Sequence, residues 1–215
     1  TEGSIDSVVS VNDAAGFSIV KYTGTGSNAT VGHGLSAAPE LIFVKTLSSV
    51  DNWMVLSTAV GATKKAALNA NNAFDTDSAP WNDTAPTSTV FSVGTKDATN
   101  KSGDEYIAYC WYSVTGHSKI GSYTGNGTYT SSTQTINVGF QPRFVMIKGN
   151  LASTNWVMVD SLRDNGDEWL YANTSDSTYD DSNTYTSFTY NGFTVNNTAS
   201  YVNANGYTYI YMAFK

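Results

Sequence analysis

The residues whose types and spacing could do chemistry fall into three groups. The first is oxygen-rich: Asp160-x-x-x-Asp164-Asn165-Gly166-Asp167-Glu168, followed by Asp176-x-x-x-Asp180-Asp181-x-Asn183. Asp164, Asp167, Asp180 and Asp181 are weak calcium candidates, because carboxylates are the ligands that Ca²⁺ prefers and Gly166 permits a sharp turn. The twelve-residue EF-hand spacing is absent, however, and solvated acidic loops account for the same residues, so no metal or other cofactor is expected. The second group is catalytic in type. A hydrolase needs a nucleophile with its base, or two facing carboxylates. The two histidines, His33 and His117, sit in separate Gly-flanked turns, and the glutamates (Glu2, Glu40, Glu105, Glu168) are scattered. No Gly-x-Ser-x-Gly elbow and no zinc-type His pair occurs. The expectation is a protein that is not an enzyme, with both histidines as turn residues without a role. The third group suits sugars, since aromatic rings stack on their apolar faces while amides and carboxylates meet the hydroxyls. Trp81, Asn82, Asp83, Trp169, Tyr179 and Tyr185 lie in or beside polar loops and are the ligand-binding candidates. The competing reading is that these rings cover loop backbone or an oligomer interface.

What must position these loops is a duplicated framework. Phe17-Ser-Ile-Val-Lys-Tyr22-Thr-Gly24-Thr-Gly26 is answered by Lys119-Ile-Gly-Ser-Tyr123-Thr-Gly125-Asn-Gly127. Pro39 with Leu41-Ile-Phe-Val-Lys45 is answered by Pro142 with Phe144-Val-Met-Ile-Lys148. Asn52-Trp53 matches Asn155-Trp156, and Leu68-x-Ala70-Asn71 matches Leu170-x-Ala172-Asn173. Phe91-x-Val93 matches Phe193-x-Val195, and Gly103-x-x-Tyr106-Ile107 matches Gly206-x-x-Tyr209-Ile210. A shared order over all of these blocks indicates internal duplication. The segments are short and rich in β-branched and aromatic residues, so each copy reads as about seven strands. Leu41 to Val44 and Phe144 to Ile147 are unbroken apolar runs, the pattern of a central strand covered on both faces. Ala62 to Ala70 is the best helical candidate, but its counterpart Glu168 to Ala172 argues for strand. In the closing strands, period two puts Ile210, Met212 and Phe214 on one face and Tyr207, Tyr209 and Tyr211 on the other. The first copy keeps Ile107, Tyr109 and Trp111 at the matching positions, so that face is expected to be the core. Asn191-Gly192 between two β-rich runs predicts a tight hairpin turn. Trp53 and Trp156, present in both copies, are expected in the core.

The expected fold is therefore all-β, an antiparallel β-sandwich built from two internal repeats of about 100 residues related by a pseudo-twofold. Residues 1–15 would be a linker or edge strand, 16–115 the first repeat and 116–215 the second. The chain has 215 residues, 13% of them charged, against about a quarter in an average domain, with Thr, Ser, Asn, Gly and Tyr filling the difference. Such a neutral polar surface suits an extracellular β protein. The formal net charge of -7 argues against nucleic acid and against a polybasic membrane anchor. No apolar run approaches the roughly 20 residues of a membrane-spanning helix. Thr1 is not an initiator Met, which suggests a fragment, a processed product or a domain of something longer. Cys110 is the only cysteine and sits inside a β-rich run, where an inert core thiol is expected.

Several phrases carry a further resemblance: Gly16 to Gly24, His33-Gly-Leu35, Pro39 to Lys45, Pro86 to Gly94, Gly103 to Tyr109, Gly121 to Gly127 and Asn205 to Phe214. Together they resemble an uncharacterised β-rich domain that recurs in virion and tail-fibre proteins of tailed bacteriophages, often marine ones. The resemblance covers nearly the whole chain from Gly16 onward and supplies no catalytic or binding residues. It implies a virion or extracellular location and a receptor-binding tail-fibre module that adheres to a host cell-surface glycan or protein. It also implies contacts with other virion proteins and a homo-oligomer, a trimer by analogy with fibres. The family pattern has an Asp-x-x-Arg after the second Trp, met here by Asp160 and Arg163, for which a structural ion pair is expected. The alternatives left open are a purely structural capsid-decoration or filament subunit, and a secreted lectin-like carbohydrate-binding module.

Overall fold

A computed structural model describes residues 2–128, 134–163, 166–178, 186–196 and 200–215. The chain is all-β and divides into two compact units, each with its own core. The first comprises Thr1–Leu68 and Phe74–Ser113, the second Asn69–Ala73 and Val114–Lys215. The first unit contains β1 (Ser7–Asn12), β2 (Phe17–Thr23), β3 (Ala29–Gly32), β4 (Leu41–Thr46), β5 (Met54–Ser57), β6 (Lys64–Ala67), β7 (Asp75–Thr76), β8 (Val90–Val93) and β9 (Glu105–Trp111). The second contains β10 (Ser118–Thr124), β11 (Gln134–Asn137), β12 (Phe144–Gly149), β13 (Trp156–Asp160), β14 (Leu170–Tyr171), β15 (Thr186–Thr189), β16 (Gly192–Val195) and β17 (Thr208–Phe214).

The pairings of the two units run in parallel lists. The first unit's large sheet has the order β1-β2-β9-β4-β5-β6-β7, and the second's has β10-β17-β12-β13-β14. All these pairs are antiparallel, and their registers match: Tyr22 faces Tyr106 as Tyr123 faces Tyr209, and Leu41 faces Trp111 as Phe144 faces Phe214. A small sheet, β3-β8 in one unit and β11-β16-β15 in the other, contributes to the same core as the large one. Val31 opposite Phe91 corresponds to Ile136 opposite Phe193. Residues 7–12 form an edge strand, β1, which has no counterpart in the second unit's sheet among the described residues.

Side chains repeat as closely as strands. Tyr22 and Tyr106 stack with ring centroids 5.2 Å apart, Tyr123 and Tyr209 with 5.1 Å. Phe91 meets Tyr22 edge-on at 6.1 Å, and Phe193 meets Tyr123 at 6.2 Å. The Tyr22 hydroxyl donates to the Thr99 carbonyl at 2.6 Å, and that of Tyr123 to Val202 at 2.6 Å. A buried asparagine closes the same turn in each unit. Asn100 Oδ1 accepts from Thr25 N at 2.8 Å, and its Nδ2 donates to the Ser27 and Gly94 carbonyls, both at 2.7 Å. Asn203 Oδ1 accepts from Asn126 N at 3.0 Å, and its Nδ2 reaches Asn126 Oδ1 at 3.0 Å and the Thr128 carbonyl at 3.2 Å. Glycine is required in that turn by close approach: a Cβ on Gly24 or Gly125 would run into the carbonyl oxygen of Lys101 or Ala204.

The structure corrects three expectations. The tyrosine face of the closing strands is the core: Tyr106, Ala108 and Cys110 join the first core, Tyr209, Tyr211 and Ala213 the second. Small residues beside the rings make room for them, and burial of Tyr22, Tyr106, Tyr123 and Tyr209 is tolerated because each hydroxyl reaches a carbonyl. Ile210 and Met212 are also buried, whereas Ile107, Tyr109 and Trp111 are half-buried. Second, the Leu68 block pairs two residues away from the expected match: Leu68 N and Ala172 N donate to the carbonyls of Trp53 and Trp156, so Leu68 answers to Ala172. Third, the hairpin turns at Tyr190-Asn191, one residue early, with Thr189 facing Gly192. Gly192 is needed because a Cβ would strike the Ile136 carbonyl oxygen, not for a left-handed φ. Trp156 is buried and Trp53 half-buried, and residues 64–67 are strand.

Candidate ligand-binding surface

Two of the aromatic candidates cannot offer a ring to a sugar. Trp81 is fully buried in the first core and Trp169 is 1% exposed in the second, so neither presents a free face. Sequence placed them near polar loops, but rings of this size are where a small core finds its volume. Trp169 Nε1 donates to Thr186 Oγ1 at 3.2 Å, whereas Trp81 Nε1 has no acceptor among the described residues. Asn82 and Asp83 are exposed and both left-handed, with φ of 52° and 46°, stabilised by Asn82 N on the Ser78 carbonyl and Thr84 N on that of Trp81. They belong to a different unit from Trp169, and Tyr179 and Tyr185 lie outside the described residues.

The calcium candidates Asp164, Asp180 and Asp181 also lie outside the described residues, and Asp167 is half-buried. Among the described residues no three His, Cys, Asp or Glu side chains converge to hold a metal ion. Asp160 and Arg163 form the expected ion pair, Nη2 to Oδ2 at 2.6 Å and Nε to Oδ2 at 2.7 Å. Burial raises the Asp160 carboxyl, but Arg163 and the Leu162 and Arg163 N–H groups outweigh it and leave the pKa below the usual range. His33 is not a solvated turn residue. It is fully buried, its Nδ1 accepts from Leu35 N at 3.1 Å, and Nε2 therefore carries the proton given to the Thr87 carbonyl at 3.1 Å. Burial lowers its pKa and keeps it neutral. Cys110 is buried, and burial pushes its thiol up to about 12, the inert state expected.

A site that the sequence did not disclose lies in the second unit. A cleft of about 270 Å³ is lined by Gly116, Gly139, Phe140, Gln141, Tyr190 and Asn191, with Lys215 at its side. Tyr190 is 90% exposed at the hairpin tip, a position where a ring has no packing role. The tip is held in place by the Asn191 carbonyl, which accepts from Val138 N at 2.9 Å and Gly139 N at 3.2 Å. The floor is fixed by Lys215 N on the His117 carbonyl at 2.9 Å. The cleft thus combines an exposed ring, two amide side chains and a lysine on rigid strand ends. The one sequence signal was Tyr190 beside Asn191 in a turn.

A family model matches residues 1–215, and its description is a domain of unknown function, DUF7483. The chain belongs to DUF7483. No curated protein and no solved structure matches it.

Proposed function

We propose that the chain is a virion module of a tailed bacteriophage that adheres to a host cell-surface glycan through its second unit. The observation that carries the adhesive part is the open cleft beneath Tyr190, whose ring stands 90% exposed on a hairpin tip anchored to a packed sheet. A ring so exposed beside an open cleft is free to stack on the apolar face of a sugar. The virion part rests on the phage-like phrases of the sequence. Weak single sites of this size, multiplied by many copies on one particle, give firm attachment by avidity. The test is twofold: mass spectrometry of purified virions for the chain, and competition of phage adsorption by the purified protein. Absence from virions, or adsorption undisturbed at saturating protein, defeats the proposal.

A purely structural subunit is the second reading, and one feature favours it. β1 is a six-residue edge strand, Ser7-Val-Val-Ser-Val-Asn12, without charge or proline, and Val8 and Val11 are 74% and 48% exposed. Edges of that kind are the ones that pair with another chain. Replacing Val8 by Lys separates the readings: lost particle assembly supports structure, intact assembly with intact adsorption supports adhesion.

A further inference from the structure

The place that is a cleft in the second unit is closed from within in the first. Matching hydrogen bonds fix the correspondence between them. Gly16 N donates to the Asp13 carbonyl as His117 N does to Val114, so Asp13 answers to Val114. Tyr112 N donates to the Gly16 carbonyl as Lys215 N does to His117, so Tyr112 answers to Lys215. His33 N donates to the Thr89 carbonyl as Val138 N does to Asn191, so His33 answers to Val138. Beyond it, left-handed Gly34 and buried Leu35 correspond to left-handed Gly139 and buried Phe140, and Ser36 to Gln141.

In the first unit two successive backbone N–H groups are capped from within. Leu35 N donates to His33 Nδ1 at 3.1 Å, and Ser36 N donates to Asp13 Oδ1 at 2.7 Å. The Ser36 N–H is strong enough an influence to hold the Asp13 carboxyl below its usual pKa. The Tyr112 hydroxyl closes the group on the Asp13 carbonyl at 2.6 Å. In the second unit both capping side chains are valines, Val138 and Val114, which accept nothing. Neither Phe140 N nor Gln141 N has an acceptor among the described residues. Where the first unit has Tyr112, the second has the cation of Lys215 beside the cleft. A negative side chain has gone, a positive one has arrived, and the two uncapped N–H groups belong to residues that line a cleft of about 270 Å³.

We infer that this cleft takes a carboxylate-bearing sugar, a uronic or sialic acid residue. Its carboxylate would occupy the place that Asp13 fills in the first unit and accept from Phe140 N and Gln141 N, with Lys215 balancing its charge. Charge-assisted bonds to backbone N–H groups are the stronger class and favour the ionised acid over a neutral sugar. The Tyr190 ring and the Asn191 amide then meet the pyranose, which is why a sugar rather than an acidic peptide is the occupant. The volume lies just below the range of about 300–1,000 Å³ for drug-sized ligands and suits one or two sugar rings. This identification deepens, and rests on, the adhesive reading of the same cleft.

The test is amide NMR titration of the intact chain with glucuronic acid and N-acetylneuraminic acid, against glucose and acetate. Expected are shifts of the Phe140 and Gln141 amides with an acidic monosaccharide, with a Kd on the order of millimolar, and at least tenfold weaker effects from glucose and acetate. Val114→Asp restores the first unit's internal carboxylate and should reduce affinity at least tenfold without moving the thermal midpoint. Lys215→Met and Tyr190→Ala, both at exposed positions, should each weaken binding at least threefold. Equal binding of glucose, equal binding of acetate, or undiminished binding by Val114→Asp each overturns the inference. If wild-type protein blocks adsorption but binds no acidic sugar, the sugar assignment fails and the adhesive reading stands. If it binds acidic sugar but is missing from virions, the reverse holds.

Discussion

Because the two units share registers, a core difference at matching positions can be read as a natural double substitution, and one such pair gives a sharp prediction. Val20 faces Ala108 in the first unit, and Gly121 faces Tyr211 at the same place in the second. Tyr211 is 5% exposed and wedged against Phe193, with ring centroids 5.4 Å apart at 73°. A Cβ on Gly121 would stand 2.8 Å from its Oη and 3.0 Å from Cζ, closer than carbon tolerates. Gly121→Val therefore forces the ring out of its packed position. Overpacking of this kind costs about 1–3 kcal/mol, reduced by the roughly 0.5–1 kcal/mol that a strand-interior glycine forfeits in chain entropy. Tyr211→Ala removes a buried ring, at about 3–5 kcal/mol by comparison with other aromatic truncations. The double variant recreates the Val20–Ala108 pair, so valine enters space that the ring has left.

The coupling free energy should then be favourable by about 1.5–3 kcal/mol, the upper part of the range for contacting residues. Full restoration is not expected. In the first unit Val9 of β1 faces Val20 and packs on the same core, and the described residues of the second unit include no such strand. The double variant should stay about 2–4 kcal/mol below wild type, the cost of a partly filled cavity. Urea denaturation of the four proteins, followed by near-ultraviolet circular dichroism, measures the cycle. Additivity within about 0.5 kcal/mol would refute the reasoning, because it would mean that Gly121 and Tyr211 do not share one space.

Four further outcomes follow from individual residues. Asn100→Ala leaves the buried Gly94 carbonyl unmet and should cost about 1–3 kcal/mol in urea melts, whereas Asn203→Ala should cost about 1 kcal/mol less, because its partners Asn126 and Thr128 are within reach of water. Lys148 is fully buried, its ammonium donating to the Thr154 carbonyl, Thr154 Oγ1 and the Gly149 carbonyl, and burial lowers its pKa to about 8. The unfolded chain then binds more protons between pH 8 and about 10.5, so stability should rise with pH there, by up to about 1.4 kcal/mol per unit, and a pH series of melts on Lys148→Met should lack that rise. Trp81→Phe should cost about 1 kcal/mol less than Trp169→Phe in the same melts, because only Trp169 loses a hydrogen bond. Cys110, with its thiol pushed up to about 12, should resist a thiol reagent at pH 8 in the folded protein and react within seconds in urea.

The all-β class was legible because apolar runs such as Leu41 to Val44 have strand length and β-branched content, and those residues do form β4. Period two correctly grouped Tyr209 with Tyr211 and Ile210 with Met212. It could not say which group turns inward, since tyrosine has both a ring to bury and a hydroxyl to satisfy. That choice was made by Val202 and Ser200, whose carbonyls wait at the end of the core for the hydroxyls of Tyr123 and Tyr209. The hairpin was legible but its turn was not, because Gly192 is there for the Ile136 carbonyl rather than for its own φ. Trp81 and Trp169 were misplaced because flanking polarity reports on the neighbours' exposure, not on the ring's. The cleft was hidden for another reason. Its uncapped N–H groups follow from Val114 and Val138 standing where Asp13 and His33 stand, and two valines carry no signal until hydrogen bonds align the units.

The shared asparagine turn and the open cleft stand at opposite ends of one strand pair. In the second unit the agreeing group, Asn203 with Asn126 and Gly127, closes the end of the β10–β17 pair where Thr124 faces Thr208. The differing group, Val114, Lys215 and the Tyr190 tip, stands at the other end, where Ser118 faces Phe214. Seven antiparallel residues separate them by about 20 Å. A lock at one end can therefore hold register while substitutions accumulate at the other without penalty to the core. The first unit has spent that freedom on closure, sealing the place with Asp13, His33 and Tyr112. The second has left it open, as the proposed binding role of the cleft requires.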